Sequence, residues 1–408
     1  MSFGIALSGL NAAQTDLNVT ANNIANSATT GFKQSRSEFA ELFAVSPVGV
    51  SRTQFGNGTK VAAVAQQFTQ GNINTTNNSM DLAISGQGFF ILNDGGAMAY
   101  SRAGAFQVDN QGYVVNSQQQ RLQVYPPAVT GAFNTSTLSD LRLVTSESPP
   151  SATTAVETVF NLPSAAAIPT TSPFSAADET SFNFARSMTV YDSLGSAHTA
   201  SMHFVKTDTN TWDMHFSIDG NSLGGAYPLE YSPTGQLIAP ANGQIALPPY
   251  GAAQGLSTGA ADMQLTFNVS RATQYGEAFG MTSITQDGFT TGRLIGIDVD
   301  ATGVVQARFT NGRSTALGQV AIANFSNPQG LQQLGNTNWA ETADSGQALN
   351  GQAGNSGFGL IQSGALEASN VDITAQLVNM ITAQRNFQAN AQMIQTADQV
   401  TQTIINIR

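Results

Sequence analysis

Residues 2–33 read SFGIALSGLNAAQTDLNVTANNIANSATTGFK, and within them Phe3, Leu10, Leu17 and Ile24 fall seven apart, with Ala6, Ala13 and Thr20 three places after the first three. A seven-residue apolar repeat marks a helix packed along one seam against another helix. Small residues at the second position of the repeat let the partner approach closely. Gly9 fits the same reading, although Gly costs about 1 kcal/mol relative to Ala inside a helix. The matching pattern lies at the other end of the chain: Leu366, Ile373, Met380, Phe387 and Ile394 are again seven apart, flanked by Leu377, Ala383, Ala391, Ala397 and Ile404. Ser369 and Asp372 have the spacing of a capping box. The pattern predicts a helix over 370–407, roughly 57 Å long by its rise per residue.

Both helices are nearly uncharged. Asp16 is the only charged residue of the first 32, and the last helix is rich in Gln, Asn and Thr. Two-stranded coiled coils normally carry charge beside the seam, so these helices read as parts of a multi-helix polymer interior. Four seam residues in the first helix bury too little apolar surface to offset the ordering of its backbone. Packing partners must therefore supply much of the helical stability.

Between the ends the chain reads as strands. Candidates at 88–92 and 98–102 flank Asn93-Asp94-Gly95-Gly96, and 105–108 leads through Asp109-Asn110-Gln111-Gly112 into 113–116, a series of hairpins. Pro, Ser, Thr and Ala dominate 146–177, which reads as a boundary or loosely structured crossing. A second series follows at 187–192, 197–206 and 211–218, with later turns at Asp300-Ala301-Thr302-Gly303 and Asn311-Gly312. If the terminal helices associate, the chain goes out and returns, and its domains are nested. The expected fold is mixed and mainly β with α-helical termini. Residues 1–30 and 366–408 form a terminal coiled-coil domain, 31–70 a linker, 71–145 with 285–361 an inner β-rich domain, and 146–284 an inserted outer β-rich domain. The Gly-, Asn- and Ser-rich stretch 341–359 reads as a flexible linker to the last helix.

Composition narrows the function classes. The 408 residues are 41% hydrophobic but only 10% charged, with a net charge of -11, so much of the surface is expected to face other protein. Lys33, Lys60 and Lys206 are the only lysines, which argues against a nucleic-acid surface. With no cysteine, disulfides and thiolate chemistry are excluded. The first ten residues lack the pattern of a signal peptide and no run approaches membrane-spanning length, so these rules alone place the chain in the cytoplasm.

No constellation points to catalysis, a metal or a cofactor. His198, His203 and His215 are the only histidines; they lack metal-ligand spacing and read as strand-surface residues. Asp298 and Asp300 alternate beside a turn without the further oxygen ligands of a calcium loop. Gly86-Gln87-Gly88 begins like a dinucleotide loop, but Ile91 stands at the third glycine position.

The motifs as they stand resemble a known family. Ser8-Gly9-Leu10-Asn11-Ala12-Ala13, Asn22-Asn23-Ile24-Ala25-Asn26-Ser27 and Thr30-Gly31-Phe32-Lys33 are similar to the N-terminal signature of the flagellar rod and hook axial proteins. Residues 81–90, DLAISGQGFF, with Ser101-Arg102-Ala103-Gly104, resemble the start of that family's β domain. Ser369-Asn370-Val371-Asp372, Met380-Ile381 and Gln384-Arg385 resemble its C-terminal signature. Ile373 stands where the family often has Leu, and Phe387 where it often has Tyr; both keep the seam apolar. Chain length and Tyr191-Asp192-Ser193-Leu194-Gly195 are closer to hook subunits than to the shorter rod proteins.

The resemblance implies a non-enzymatic homopolymer. It would be a curved tube acting as a universal joint, with terminal helices inside and the insert outermost. Its implied partners are a hook cap protein, a distal rod protein, a hook-filament junction protein and the flagellar export apparatus. It implies export without a cleaved signal peptide to an extracellular hook, in place of the cytoplasm. A distal rod subunit and a β-rich surface adhesin are the alternatives.

Overall fold

Helix α1 spans Ser2–Ala25 and α2 spans Ile373–Asn406 in this computed structural model, which describes residues 2–42, 56–128, 132–143 and 147–406. The side chain of Ile404 and the expected helix end at Ile407 lie outside the described residues. The two helices run antiparallel. Asn23 bonds Gln376 at 3.3 Å, Gly9 faces Asn390, and Phe3 shares a groove with Ala397.

The inward face of α1 is made of small residues: Ala6, Ala12, Ala13, Thr20 and Asn23 are buried. Leu10, Leu17 and Ile24 flank that face half-buried, and Phe3 is 49% exposed. On α2, Gln376 and Ala383 are buried, with Met380, Phe387, Ala391, Ile394 and Ala397 beside them half-buried. Ile373 and Leu377 instead stand exposed. The seven-residue spacing found the helices, but the centre of contact is the small-residue row. Gly9 shows why: a Cβ there would come within 2.6 Å of the Asn390 side-chain oxygen.

The start of α2 differs from expectation. Leu366 lies in strand Ala365–Glu367, paired with Ile73–Thr75. The N-cap is Asp372, whose Oδ1 accepts from the amides of Thr374 (2.8 Å) and Ala375 (3.2 Å), satisfying donors that the first turn leaves free. Ser369 Oγ accepts only from the Val371 amide, at 3.4 Å.

The chain divides into two units, Met1–Thr145 with Gly296–Arg308 and Ser314–Arg408, and Ser146–Ile295 with Phe309–Arg313. In the first, the strand Phe89–Asp94 is apolar without alternation because both its faces are covered. Phe90 and Leu92 join Leu82, Ile84, Leu122, Val320 and Ile322 on one side. Phe89 and Ile91 join Tyr100, Ala321, Phe325 and Trp339 on the other. Its partner Ala97–Ser101 follows a two-residue turn whose Gly95 (φ 61) and Gly96 (φ 108) occupy the left-handed region that such hairpins require.

Three stretches read as linkers or crossings are built structure. Within 31–70, Ser35–Glu41 pairs antiparallel with Thr59–Gln66; the apolar residues of the ribbon, Phe39, Val61 and Val64, stand exposed and do not alternate with polar ones, which gives a weak strand signal. Within 341–359, Leu349–Gln352 pairs with the end of the long strand Ser314–Asn324. In the Pro- and Ser-rich stretch, Ala155–Pro163 is a nine-residue strand.

The second unit packs two five-stranded sheets. One is a meander of Phe184–Tyr191, Ala197–Asp208, Thr211–Ile218, Asn221–Tyr231 and Leu237–Ala239. The other gathers Gln244–Ala246, Thr266–Asn268, Ala155–Pro163, Thr273–Tyr275 and Gly280–Gln286. Their shared core includes Phe160 on Phe204 and Phe216 on Phe267, with ring centroids 4.9 and 4.5 Å apart. A boundary at 284 would cut the strand Gly280–Gln286, which pairs with Ala155–Pro163.

Candidate assembly site

The motif residues at the two ends of the chain converge where the paired helices meet the β structure of the first unit. Asn23 is 1% exposed. Its carboxamide donates to the Ser35 carbonyl (2.8 Å) and accepts from the Ser35 amide (2.9 Å) while also reaching Gln376. One side chain thus ties α1, the ribbon and α2 together. Asn26 donates to the Asn22 carbonyl and side-chain oxygen, both at 3.0 Å, and accepts from Thr29, which closes the end of α1. Asn370 accepts from the Gln34 amide (2.8 Å) and donates to the carbonyls of Gln67 (2.8 Å) and Thr69 (3.2 Å).

Gly31 sits at φ 69 and donates its amide to the Glu367 carbonyl at 2.8 Å. A Cβ there would meet the Ala103 backbone, so the left-handed conformation and the close approach both require glycine. Phe32 lines a cavity of about 350 Å³ with Asn22, Asn26 and Trp339.

Beneath these lies a buried charge cluster that sequence reasoning missed. Lys33 Nζ is 2.6 Å from Glu367 Oε1, and both side chains are fully buried. Lys33 also donates to the Thr69 carbonyl, and Glu367 Oε1 accepts from the Gly71 amide. The second carboxylate oxygen is 3.2 Å from Arg102 Nη1, while Arg102 Nη2 donates to the Gly86 carbonyl. Burial pulls the Lys33 ammonium and the Arg102 guanidinium below their ordinary values, and Glu367 partly restores both. Two cations share one carboxylate, so removing the Glu367 side chain would leave both buried and unpaired. The available signal was scarcity: one of three lysines in 408 residues falls inside a motif.

Two of the three histidines are not surface residues, and His215 is half-buried. His198 and His203 are buried. Burial pulls the His198 value down, but bonds to Asp219 (2.6 Å) and Asp192 (3.3 Å) outweigh it and leave it raised. His203 lies directly opposite His215 on the neighbouring strand, with Phe174 stacked on His215 at 4.0 Å and Phe182 against His203. Asp300 organises its turn, accepting from the Thr302 and Val304 amides, and Asp298 pairs with Arg308. Among the described residues no three acidic or His side chains are placed to hold a metal ion, and no helix is long and apolar enough to cross a membrane.

Both helices also leave apolar side chains uncovered: Phe3 and Leu7 on α1, and Ile373, Leu377, Val378 and Ile381 on α2. Paired chain ends with exposed apolar faces, clasped to a β-rich body, define a structural subunit built to associate. Comparison with known proteins makes this specific. Residues 3–33 match the family described as flagella basal body rod protein, and 83–164 match the flagellar hook protein FlgE/F/G D1 domain. Residues 161–289 match the flagellar basal body protein FlaE D2 domain, and 362–407 the flagellar basal body rod FlgEFG protein C-terminal family.

The chain is 40% identical over 422 residues to the flagellar hook protein FlgE of Escherichia coli (strain K12), covering 100% of both chains. It is 33% identical to that of Borreliella burgdorferi, covering 98% of each. A crystal structure of the Helicobacter pylori flagellar hook protein FlgE2 shares the fold, with a TM-score of 0.53 at 12% identity over 72% of this chain and 100% of that one. The chain belongs to the flagellar hook protein family. Membership places it in the flagellar hook and implies self-polymerisation.

Proposed function

We propose that this chain is the subunit of the flagellar hook, polymerising through its terminal helices into a curved tube that transmits motor torque to the filament. The observation that carries this reading is full-length similarity to hook proteins, which spans the segments forming both helices. The polymerisation surface comprises Phe3, Leu10, Leu17 and Ile24 of α1 with Ile373, Leu377, Met380, Phe387 and Ile394 of α2. Their incomplete burial in one chain supports that role, since apolar faces left open invite further helices. Leu366 acts from its strand. Asn22, Asn23, Asn26, Gly31, Phe32, Ser369, Asn370 and Asp372 set the angle at which the helices leave the β structure.

The tube bends when its protofilaments shorten and lengthen in turn while the helices stay packed. The finer partners are a hook cap protein during growth, a distal rod protein and a junction protein at the two ends, and the flagellar export apparatus. The subunit leaves the cell through that apparatus without a cleaved signal peptide and acts outside it.

The test is electron microscopy of the polymer isolated from cells producing this chain. Curved tubes support the hook reading. Straight rods of this chain would overturn it in favour of a rod subunit.

A further inference from the structure

Helices α1 and α2 carry very little charge: Asp16 alone on α1, and only Arg385 and Asp398 on α2. Asp16, midway between Gly9 and Asn23, lies level with Ala383, midway between their partners Asn390 and Gln376. Arg385 is two residues from that level, about 3 Å along the axis. Yet the two charges do not face each other. Ala383 is 1% exposed against α1, and two residues further on a helix turns through about 200°, so Arg385 stands exposed on the far side of α2.

Asp16 looks into a polar groove of about 190 Å³, lined by Val19, Gln34, Ser35, Arg36 and Ser37. The cation that lines it, Arg36, is paired with Glu38 at 2.7 Å. Ser37 Oγ has no hydrogen-bond partner among the described residues. Nor does either Asp16 or Arg385 have an ion-pair partner among them.

We propose that Arg385 of one copy enters the Asp16 groove of the laterally neighbouring copy, forming the ion pair that fixes the axial register between subunits. The proposal rests on the hook reading and deepens it. A guanidinium suits an unpaired carboxylate, because its donors form a fixed fork. Donor and acceptor lie on different faces of the subunit, so the contact is head-to-tail and propagates around a ring or helix instead of closing as a dimer. Apolar side chains slide past one another at small cost, whereas a single buried pair per interface selects one axial position.

The experiment compares cells making the parent chain, Asp16→Lys, Arg385→Glu and the double charge swap, counting hooks by microscopy and subunit shed into the medium. Each single variant is expected to lose most hooks while shedding subunit, and the swap to restore them. Single variants that build normal hooks, or a swap no better than either single, overturn the pair. If the parent chain builds no hook, the reading beneath it fails instead.

A second measurement does not depend on rescue. The chain has no cysteine, so a D16C/R385C chain produced together with the parent chain, which keeps hooks assembling, should give crosslinked dimers when those hooks are treated with a short bismaleimide. Crosslinks confined to monomers would overturn the proposal.

Discussion

Glu367 is a single carboxylate between two buried cations, and removing it leaves both unpaired. Glu367→Gln is expected to cost about 3–5 kcal/mol, read by urea unfolding at Trp339 in a Trp212→Phe background. A loss below about 1 kcal/mol, the range of exposed pairs, would mean the clasp contributes little. A second prediction concerns pH. Burial lowers both His203 and His215 below the ordinary value of 6.5, with His215 further depressing His203. The unfolded chain then binds these protons more readily, so their contribution is complete above pH 6.5 and lost as pH falls through the depressed folded values. His198 is raised, and its contribution is present below 6.5 and lost as pH rises through the folded value. The acid loss should therefore disappear in His203→Gln/His215→Gln, followed by Trp212 fluorescence in a Trp339→Phe chain. An unchanged pH profile in that variant would contradict the assignment. At this scale the sequence marked Asn23 and Asn370 as motif residues but not their contacts. The reason is distance along the chain: Gln376 stands 353 positions from Asn23, and no local pattern encodes such a pairing.

Among the elements, the helices were legible because a seven-residue repeat is a local signal, and so was the small-residue row that lets them approach; that the large apolar row only flanks the contact was not. Ala6, Ala13 and Ala383 occupy the centre, since small side chains allow the backbones to approach. Hairpins with explicit turn residues, such as Gly95-Gly96, were equally readable. The ribbon at 35–66 was missed because its strands lack apolar alternation, and the crossing at 146–177 because its Pro and Ser content masks Val156, Phe160 and Leu162. A test belongs to α2. Phe387→Asp places an unpaired carboxylate in the half-buried row beside Ala383, so hooks should be absent while circular dichroism still reports folded β structure. Normal hooks from this variant would remove Phe387 from the packed face.

For the whole molecule, each unit has its own apolar core, and both helices belong to the first. Replacing residues 146–295 by a short Gly-Ser bridge should leave the first unit folded and able to polymerise. The resulting tube is expected to be straighter, because the family resemblance assigns the insert to the outer layer, where contact differences act at the largest radius. Unchanged curvature in micrographs of the deletion polymer would rule out that role. The nested order followed from the two seams alone; the exact edges of the insert did not, because the strand Gly280–Gln286 and the hairpin tip Phe309–Arg313 join the second unit only through tertiary contacts.

The strand pairs 73–75 with 365–367 and 82–85 with 360–363 also set a schedule. Each joins parts of the chain that are synthesised far apart in time, and loop closure must precede any gain from such contacts. The second unit is mostly contiguous and can fold while the ribosome is still working. The first has to wait for residues near its own end, so the N-terminal portion of a growing chain is expected to stay unfolded until those residues emerge. Chains truncated at residue 359 should accordingly show a protease-resistant core within 146–313 and rapid digestion elsewhere; protection of 71–145 in such chains would show that the first unit does not wait.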